Sequence, residues 1–352
     1  MPSPPYLKGR GAQINTANRF DKHIGEQNPL AFTDDDVNQI PTQYINVAAR
    51  SIINKVDSPD IPMPYSMNPY QGCEHGCIYC YARNTHNYWG YSAGVEFEQK
   101  ILIKEEAPQL LAKQLRSKNW KAAPIMLSGN TDCYQPIERK LEITRKLLEV
   151  CWRFRHPVGV ITKNSLVLRD LDLLSKLNEH NLVRVAISLT TLNEQLRQFM
   201  EPRTATVAGR LETIRQLSAA GIPVNLMMAP IIPSLTDHEI FDLLKAAAEA
   251  GARSANYTMV RLNGDIAILF EDWLRKNYPD RADKVLNKIK DCHGGALSDN
   301  RFGKRMSGEG HIAAIISKQF KLARKRFFST EKLPPLNTEL YYQMKAPQMK
   351  LF

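Results

Sequence analysis

The chain is poor in cysteine, with six in 352 residues, too few to staple a fold of this length with disulfides. It has no apolar run near the roughly 20 residues of a helical membrane span, so no membrane partner is expected. Its start, Met1-Pro-Ser-Pro-Pro-Tyr-Leu-Lys8, lacks the apolar stretch of a secretory leader, and a cytoplasmic location is the expectation. Internal repeats and low-complexity tracts are absent. Acidic side chains are in deficit, 36 against 47 Lys plus Arg, for a formal net charge of +11. What is present is globular: 43% hydrophobic and 24% charged residues exclude wholesale disorder. The length suits one large domain or two ordinary ones. The basic surplus favours an anionic partner, nucleic acid or another phosphate-rich molecule, although basic surfaces also serve solubility. Residues 301–332 hold nine basic side chains against Glu309 and Glu331. Ile312, Ile315, Ile316, Phe320 and Ala323 recur there at helical spacing, so one face packs and the other is free for solvent or phosphate.

Residues 1–60 mix Gly, Asn, Pro and charge with little periodicity and read as an extension that covers something else. From residue 61 to 265 short β-branched runs alternate with amphipathic ones. Strands are expected at 66–68, 125–128, 158–162, 183–189, 223–228 and 254–260. Helices are expected at 105–117, 137–154, 168–179, 207–220 and 237–250. Such alternation means βαβ units and a parallel sheet, either an open doubly wound sheet or an incomplete (βα) barrel. Either way the chemistry gathers at the C-terminal ends of the strands. Residues 266–352 read as a helical, basic C-terminal region with a loose, proline-punctuated tail.

The informative feature is Cys73, Cys77 and Cys80, a C-x3-C-x2-C string just after the first expected strand. Three thiolates within eight residues suit a metal centre. A structural zinc site closes with four ligands, and His75 is the candidate fourth. A [4Fe–4S] cluster with one iron left open needs only the three cysteines. Gly72 and Gly76 let the loop close tightly around a bulky group.

The string Asn68-Pro-Tyr-Gln-Gly-Cys-Glu-His-Gly-Cys-Ile-Tyr-Cys-Tyr-Ala82 resembles the radical S-adenosylmethionine superfamily, in the branch related to spore photoproduct lyase. The resemblance runs from about Tyr65 to Arg261. It implies an α/β fold, a partial (βα)6 barrel with N- and C-terminal extensions. It implies a [4Fe–4S] cluster on Cys73, Cys77 and Cys80 with S-adenosyl-L-methionine on the open iron. It implies reductive cleavage of that cofactor to a 5′-deoxyadenosyl radical, which abstracts hydrogen from a substrate. An electron donor such as flavodoxin or ferredoxin is then required.

Further site residues are sought at the other strand ends. After the second strand, Gly129 allows close approach, and Asn130, Thr131 and Asp132 can bond a polar ligand or cap a helix. The resemblance places the contact to the methionyl amino group there. Lys163 can neutralise a carboxylate or phosphate, or be a surface lysine. By resemblance Ser188 offers its hydroxyl to the ribose. Arg203 can hold the methionyl carboxylate, or pair with Glu201. The Pro/Ile edge around Pro230 suits an adenine face. The lyase finishes its reaction with a cysteine hydrogen donor, whose place here is Gly129; Cys133 and Tyr134 are candidate replacements, or core residues. Cys151 reads as core.

The expected function is therefore hydrogen abstraction by a radical S-adenosylmethionine enzyme acting on nucleic acid, in repair or modification. The alternatives are a radical enzyme acting on a peptide or small molecule, and a non-catalytic module with a structural metal. The final Gln348-Met-Lys-Leu-Phe352 is similar to the pentapeptide by which bacterial repair proteins dock on the sliding clamp, or else packs back on the barrel.

Overall fold

The computed structural model describes residues 7–18, 20, 41–330 and 333–345. Ten strands fall within them: β1 (Gln43–Asn46), β2 (Ile53–Lys55), β3 (Tyr65–Met67), β4 (Tyr70–Gln71), β5 (Lys100–Ile103), β6 (Ile125–Leu127), β7 (Val158–Thr162), β8 (Val183–Ser188), β9 (Val224–Ile231) and β10 (Ser254–Met259). Seven form one sheet in the order β10-β9-β8-β7-β6-β3-β2. β3 and β6 to β10 are parallel, with Tyr65 beside Ile125, Val158 beside Val183 and Ser254 beside Asn225. These are the six expected strands. Their spatial order follows the chain without reversal, so the sheet curls as a partial barrel and is not doubly wound. Burial alternates along β8 and β9: in β8, Val183, Val185 and Ile187 are buried while Arg184 and Ala186 are less so.

Helices Ala107–Arg116, Ile143–Arg153, Leu171–Glu179, Val207–Ala219 and Ile240–Glu249 cover the outer face. Their apolar stripes, including Leu147, Leu174, Leu217 and Leu243, are buried with Leu127, Val160, Val185 and Leu226 in one core. The single helix expected at 137–154 is broken into Glu138–Leu141 and Ile143–Arg153 at Glu142, whose φ is 53°. The buried Glu138 carboxylate explains the break: it accepts the Thr144 N–H at 3.1 Å and so caps the second piece.

The first 60 residues do more than cover. β2 pairs antiparallel with β3 at one edge of the barrel. β1 pairs with β5, and β5 with β4, in a separate three-stranded sheet outside it. The sheet remains open between β2 and β10. Residues 301–307 cross this seam: Met259 N donates to Met306 O at 2.8 Å, Gly303 N to Asp60 Oδ1 at 2.8 Å and Arg305 Nε to Asp60 Oδ2 at 2.6 Å.

Residues 266–289 build a second core beside that of the barrel. Trp273, Leu274, Val285 and Ile289 pack in one cluster with Cys77, Ile78 and Val260. The basic stretch forms the expected amphipathic helix, Gly310–Phe327, with Ala313, Ile316, Phe320 and Ala323 buried. The prolines that follow are not loose. Pro334 O accepts Arg184 Nη2 at 2.6 Å, Asn337 N donates to Asn181 O at 2.9 Å, and Tyr341 Oη donates to Leu115 O at 2.6 Å. Residues 333–345 thereby seal the N-terminal end of the barrel. The clamp-like pentapeptide Gln348-Met-Lys-Leu-Phe352 lies outside the described residues. No described helix is long and apolar enough to cross a membrane.

Candidate active site

The cysteine loop leaves the C-terminal end of β3. Gly72 and Gly76 adopt φ of 77° and 68°, which turn the loop back on itself. Cys73 N donates to Phe97 O at 2.9 Å, Ile78 N to Met200 O at 3.0 Å and Cys80 N to Cys77 O at 3.2 Å. Cys73 and Cys77 are buried, Cys80 is partly exposed, and none is in a disulfide. Burial pushes the Cys73 thiol well above its ordinary range and the Cys77 thiol to about 12. A metal centre reverses that cost, because its positive charge favours the thiolates.

His75 is not a fourth ligand, which corrects the zinc reading. Its Nδ1 lies 3.3 Å from Asp132 Oδ2 and its Nε2 lies 3.1 Å from Asn164 Nδ2. The donor set is thus three thiols with one position left open, which fits a [4Fe–4S] cluster. Asp132 is itself fully used. It accepts Thr162 Oγ1 at 2.8 Å, Lys163 N at 2.8 Å and Tyr134 N at 2.9 Å. Burial opposes its ionisation, but His75 and the two backbone N–H groups outweigh that and hold the carboxyl at about 2. Asp132 therefore ties the cysteine loop to the end of β7, a bracing role in place of the expected cofactor contact. Its neighbour Asn130 is also tied back, its N–H to Asn68 Oδ1 at 2.8 Å. Gly129 packs on Ser66, where a Cβ would come within 2.8 Å. The Gly129 carbonyl accepts the hydroxyl of Tyr81, a half-exposed ring next to Cys80.

A second buried charge cluster lies below the loop. Glu201 pairs with Arg210 and accepts the hydroxyls of Tyr79 and, at 2.7 Å, Thr190. Burial raises its pKa, yet Arg210 and Lys163 outweigh this and hold it at about 2. Arg210 Nη1 also binds the Ser188 carbonyl at 3.0 Å. Hence the expected pairing of Arg203 with Glu201 needs correcting: Glu201 is taken by Arg210, and Arg203 lies 3.7 Å from Glu74 and is one-third exposed. The cation that does face the cysteines is Lys163. Burial would lower its pKa, but Cys77, Glu201 and Cys80 prevail and keep the ammonium charged. It has no hydrogen bond or ion pair with a described residue, and lies 5.9 Å from the Tyr79 ring centre. Ser188 is buried and its hydroxyl has no hydrogen bond with a described residue, and Pro230 is buried at the end of β9.

Cys133 and Tyr134 stand apart from the mouth. Both are wholly buried in the barrel core. Cys133 N and O are engaged by Ser128 and Thr144, and the Tyr134 hydroxyl donates to Asp170 at 3.0 Å. A hydrogen donor must meet its substrate, and these side chains are covered on every side, so the donor expectation is corrected: both are core residues.

The basic segment divides. Near the mouth, Arg301 pairs with Asp299 and Glu309, Lys304 with Glu309 and Arg305 with Asp60. The helix Gly310–Phe327 then runs about 27 Å towards the opposite end, at 1.5 Å per residue. Arg324, Lys325 and Arg326 are in its last turn, far from the cysteines. Another basic side chain at the mouth is Arg261, just past β10, half-buried beside Tyr81 and Arg305. It has no hydrogen bond or ion pair with a described residue. Neither Arg261 nor the Glu201–Arg210 pair was singled out from sequence.

The radical SAM superfamily profile matches residues 67–247. The chain belongs to the radical SAM superfamily. An uncharacterized protein of Mycobacterium bovis is 32% identical over 240 residues, 67% of this chain and 71% of that protein. The antilisterial bacteriocin subtilosin biosynthesis protein AlbA of Bacillus subtilis is 24% identical over 62% of this chain and 44% of its own length. A solved spore photoproduct lyase mutant superimposes with TM-score 0.60 at 18% identity, covering 81% of this chain and 79% of that one. The same lyase has been solved with AdoMet and dinucleoside spore photoproduct bound. Like its superfamily, this radical SAM chain is an enzyme that uses a [4Fe–4S] cluster and S-adenosyl-L-methionine.

Proposed function

We propose that this radical SAM enzyme acts on a nucleic acid, abstracting hydrogen from a base or sugar positioned at the C-terminal mouth of the barrel. Cys73, Cys77 and Cys80 would hold the cluster. Lys163 would neutralise the methionyl carboxylate, Ser188 would meet the ribose and Pro230 the adenine. When bound, the cluster and its cofactor supply the one-electron cleavage that starts hydrogen abstraction. The protein's own work is to orient and to exclude water. Asp132 fixes the loop against β7, Glu201 holds Arg210 and Tyr79 beneath it, and Lys163 remains charged with no hydrogen bond or ion pair to a described residue.

The observation that carries the substrate class is Arg261. A half-buried guanidinium that makes no ion pair with a described residue (Asp60 is taken by Arg305), next to a half-exposed tyrosine at the mouth, suits a phosphodiester beside a ring. The fold likeness to an enzyme solved with a dinucleoside lesion supports the same reading. A base in a duplex would have to be extruded to reach the cluster.

The test is anaerobic incubation with cofactor in deuterated water, with DNA, RNA or a peptide pool, followed by mass spectrometry. Label in nucleic acid, and binding that weakens with salt, are expected. Label in peptide with none in nucleic acid would replace this substrate class with a peptide.

A further inference from the structure

Arg83 lies three residues past Cys80 and is wholly buried. A guanidinium has five N–H donors in a fixed fork, and here every one is used. Nε donates to Cys77 O at 2.9 Å, Nη1 to Ala93 O at 3.2 Å and Gly94 O at 3.0 Å, and Nη2 to Gly76 O at 3.0 Å and Glu98 Oε1 at 2.5 Å. Two of those carbonyls belong to the cysteine loop itself. Glu98, also wholly buried, is the other half of the arrangement. Besides Arg83 it accepts Ala12 N at 2.8 Å and Gly11 N at 3.1 Å, and its carbonyl accepts Arg10 Nη1 at 2.8 Å. The N-terminal segment thus touches the cysteine loop backbone to backbone. A Cβ on Gly11 would fall 1.7 Å from Gly76 O, so no side chain fits there. The segment continues along the next wall: Val95 N donates to Ile14 O at 3.3 Å and Thr16 N to Ser92 Oγ at 2.8 Å.

A buried ion pair alone is weak evidence for stability, since desolvation offsets its attraction. The placement of the other donors is what matters. Four of Arg83's five bonds go to carbonyls, and those of Gly76 and Cys77 fix the peptide planes on either side of the middle cysteine. Groups that orient metal ligands in this way control how the metal is held.

We propose that Arg83 and Glu98 are positioning residues for the cluster, and that residues 10–16 form a strap completing their site and closing the protein side of the cluster. The inference rests on the reading of Cys73, Cys77 and Cys80 as cluster ligands. The experiment compares the full-length protein with Arg83→Lys, Glu98→Gln and Gly11→Ala after anaerobic reconstitution. Iron and sulfide per chain, the electron paramagnetic resonance spectrum of the reduced cluster and the rate of bleaching in air are measured. Circular dichroism confirms the fold. Gly11→Ala keeps both partners of the ion pair and forces the strap off the loop at Gly76 O, so it tests the strap even where removing half of the ion pair unfolds the chain. The expected result is a shifted spectrum and bleaching faster by about tenfold or more in each folded variant, the range seen when outer-shell partners of a metal are changed. Wild-type spectra and bleaching rates in folded Gly11→Ala and Arg83→Lys would overturn the proposal while leaving the cluster reading intact. A wild-type chain that takes up no iron–sulfur cluster would overturn both.

Discussion

Asp132 and Glu201 are ionised although they are buried, and each is held at about 2 by the groups around it. Both therefore contribute stability above the ordinary carboxylate range, and lose it as pH falls from about 4 towards 2. For Glu201 the facing groups are Arg210, Lys163, Tyr79 and Thr190, so protonation leaves Arg210 and Lys163 uncompensated. Glu201→Gln should cost about 3–5 kcal/mol at neutral pH, the range for breaking a buried pair. It should also flatten the loss of stability between pH 4 and pH 2, as read by urea titration at a series of pH values. An unchanged acid limb would remove Glu201 from that transition. The cysteines give a sharper contrast. Cys73→Ala, Cys77→Ala or Cys80→Ala should each abolish the brown chromophore and cofactor cleavage. Cys151→Ala, deep in the core, should leave both in place with a modest stability loss. A cluster that survives loss of one of the three loop cysteines would point to a different ligand set.

At the scale of elements, the parallel strands were legible because β7 and β8 are β-branched runs, β9 is largely apolar, and helix-period runs recur between the strands. The outer sheet was not. β4 has two residues and β1 is largely exposed, so neither carries a hydrophobic pattern. Spacing brings out the cysteines as candidate ligands, and their places at strand ends bring out Lys163 and Ser188; the roles given to them belong to the proposal above. Arg203 was misread because Arg210, seven residues later, reaches Glu201 first. Cys133 was misread because sequence does not show which way the chain turns after Asp132. The basic helix was legible as a helix, but not the end of the barrel at which its charge collects. That placement makes a prediction. Reversing Arg324, Lys325 and Arg326 to Glu should leave nucleic-acid binding at the mouth unchanged. Arg261→Gln should weaken it and lower the slope against log salt by about one phosphate contact. Filter binding across a salt series distinguishes the two, and the opposite pattern would move the interface to the far end. At that far end, Tyr341 is wholly buried with its ring edge-on to His156, 5.4 Å between centres. Tyr341→Ala should cost about 3–5 kcal/mol, the range for a buried aromatic. Thermal melting should show that loss while cofactor cleavage at 25 °C stays near wild type.

At the scale of the whole molecule, the cysteine loop is early in sequence and late in assembly. It occupies residues 72–80, yet Ile78 is hydrogen-bonded to Met200, Arg203 to His75, and Thr16 of the strap to Asp265 at 3.1 Å. During synthesis the three thiols leave the ribosome well before any of those partners exists. A nascent chain thus presents them unsupported, open to oxidation or to a stray metal, until some two hundred further residues have been added. On the proposed ligand assignment, the cradle for a cluster is complete only once the chain is, so a chain cut short before Asp265 should take up less iron and sulfide on anaerobic reconstitution than the full-length protein.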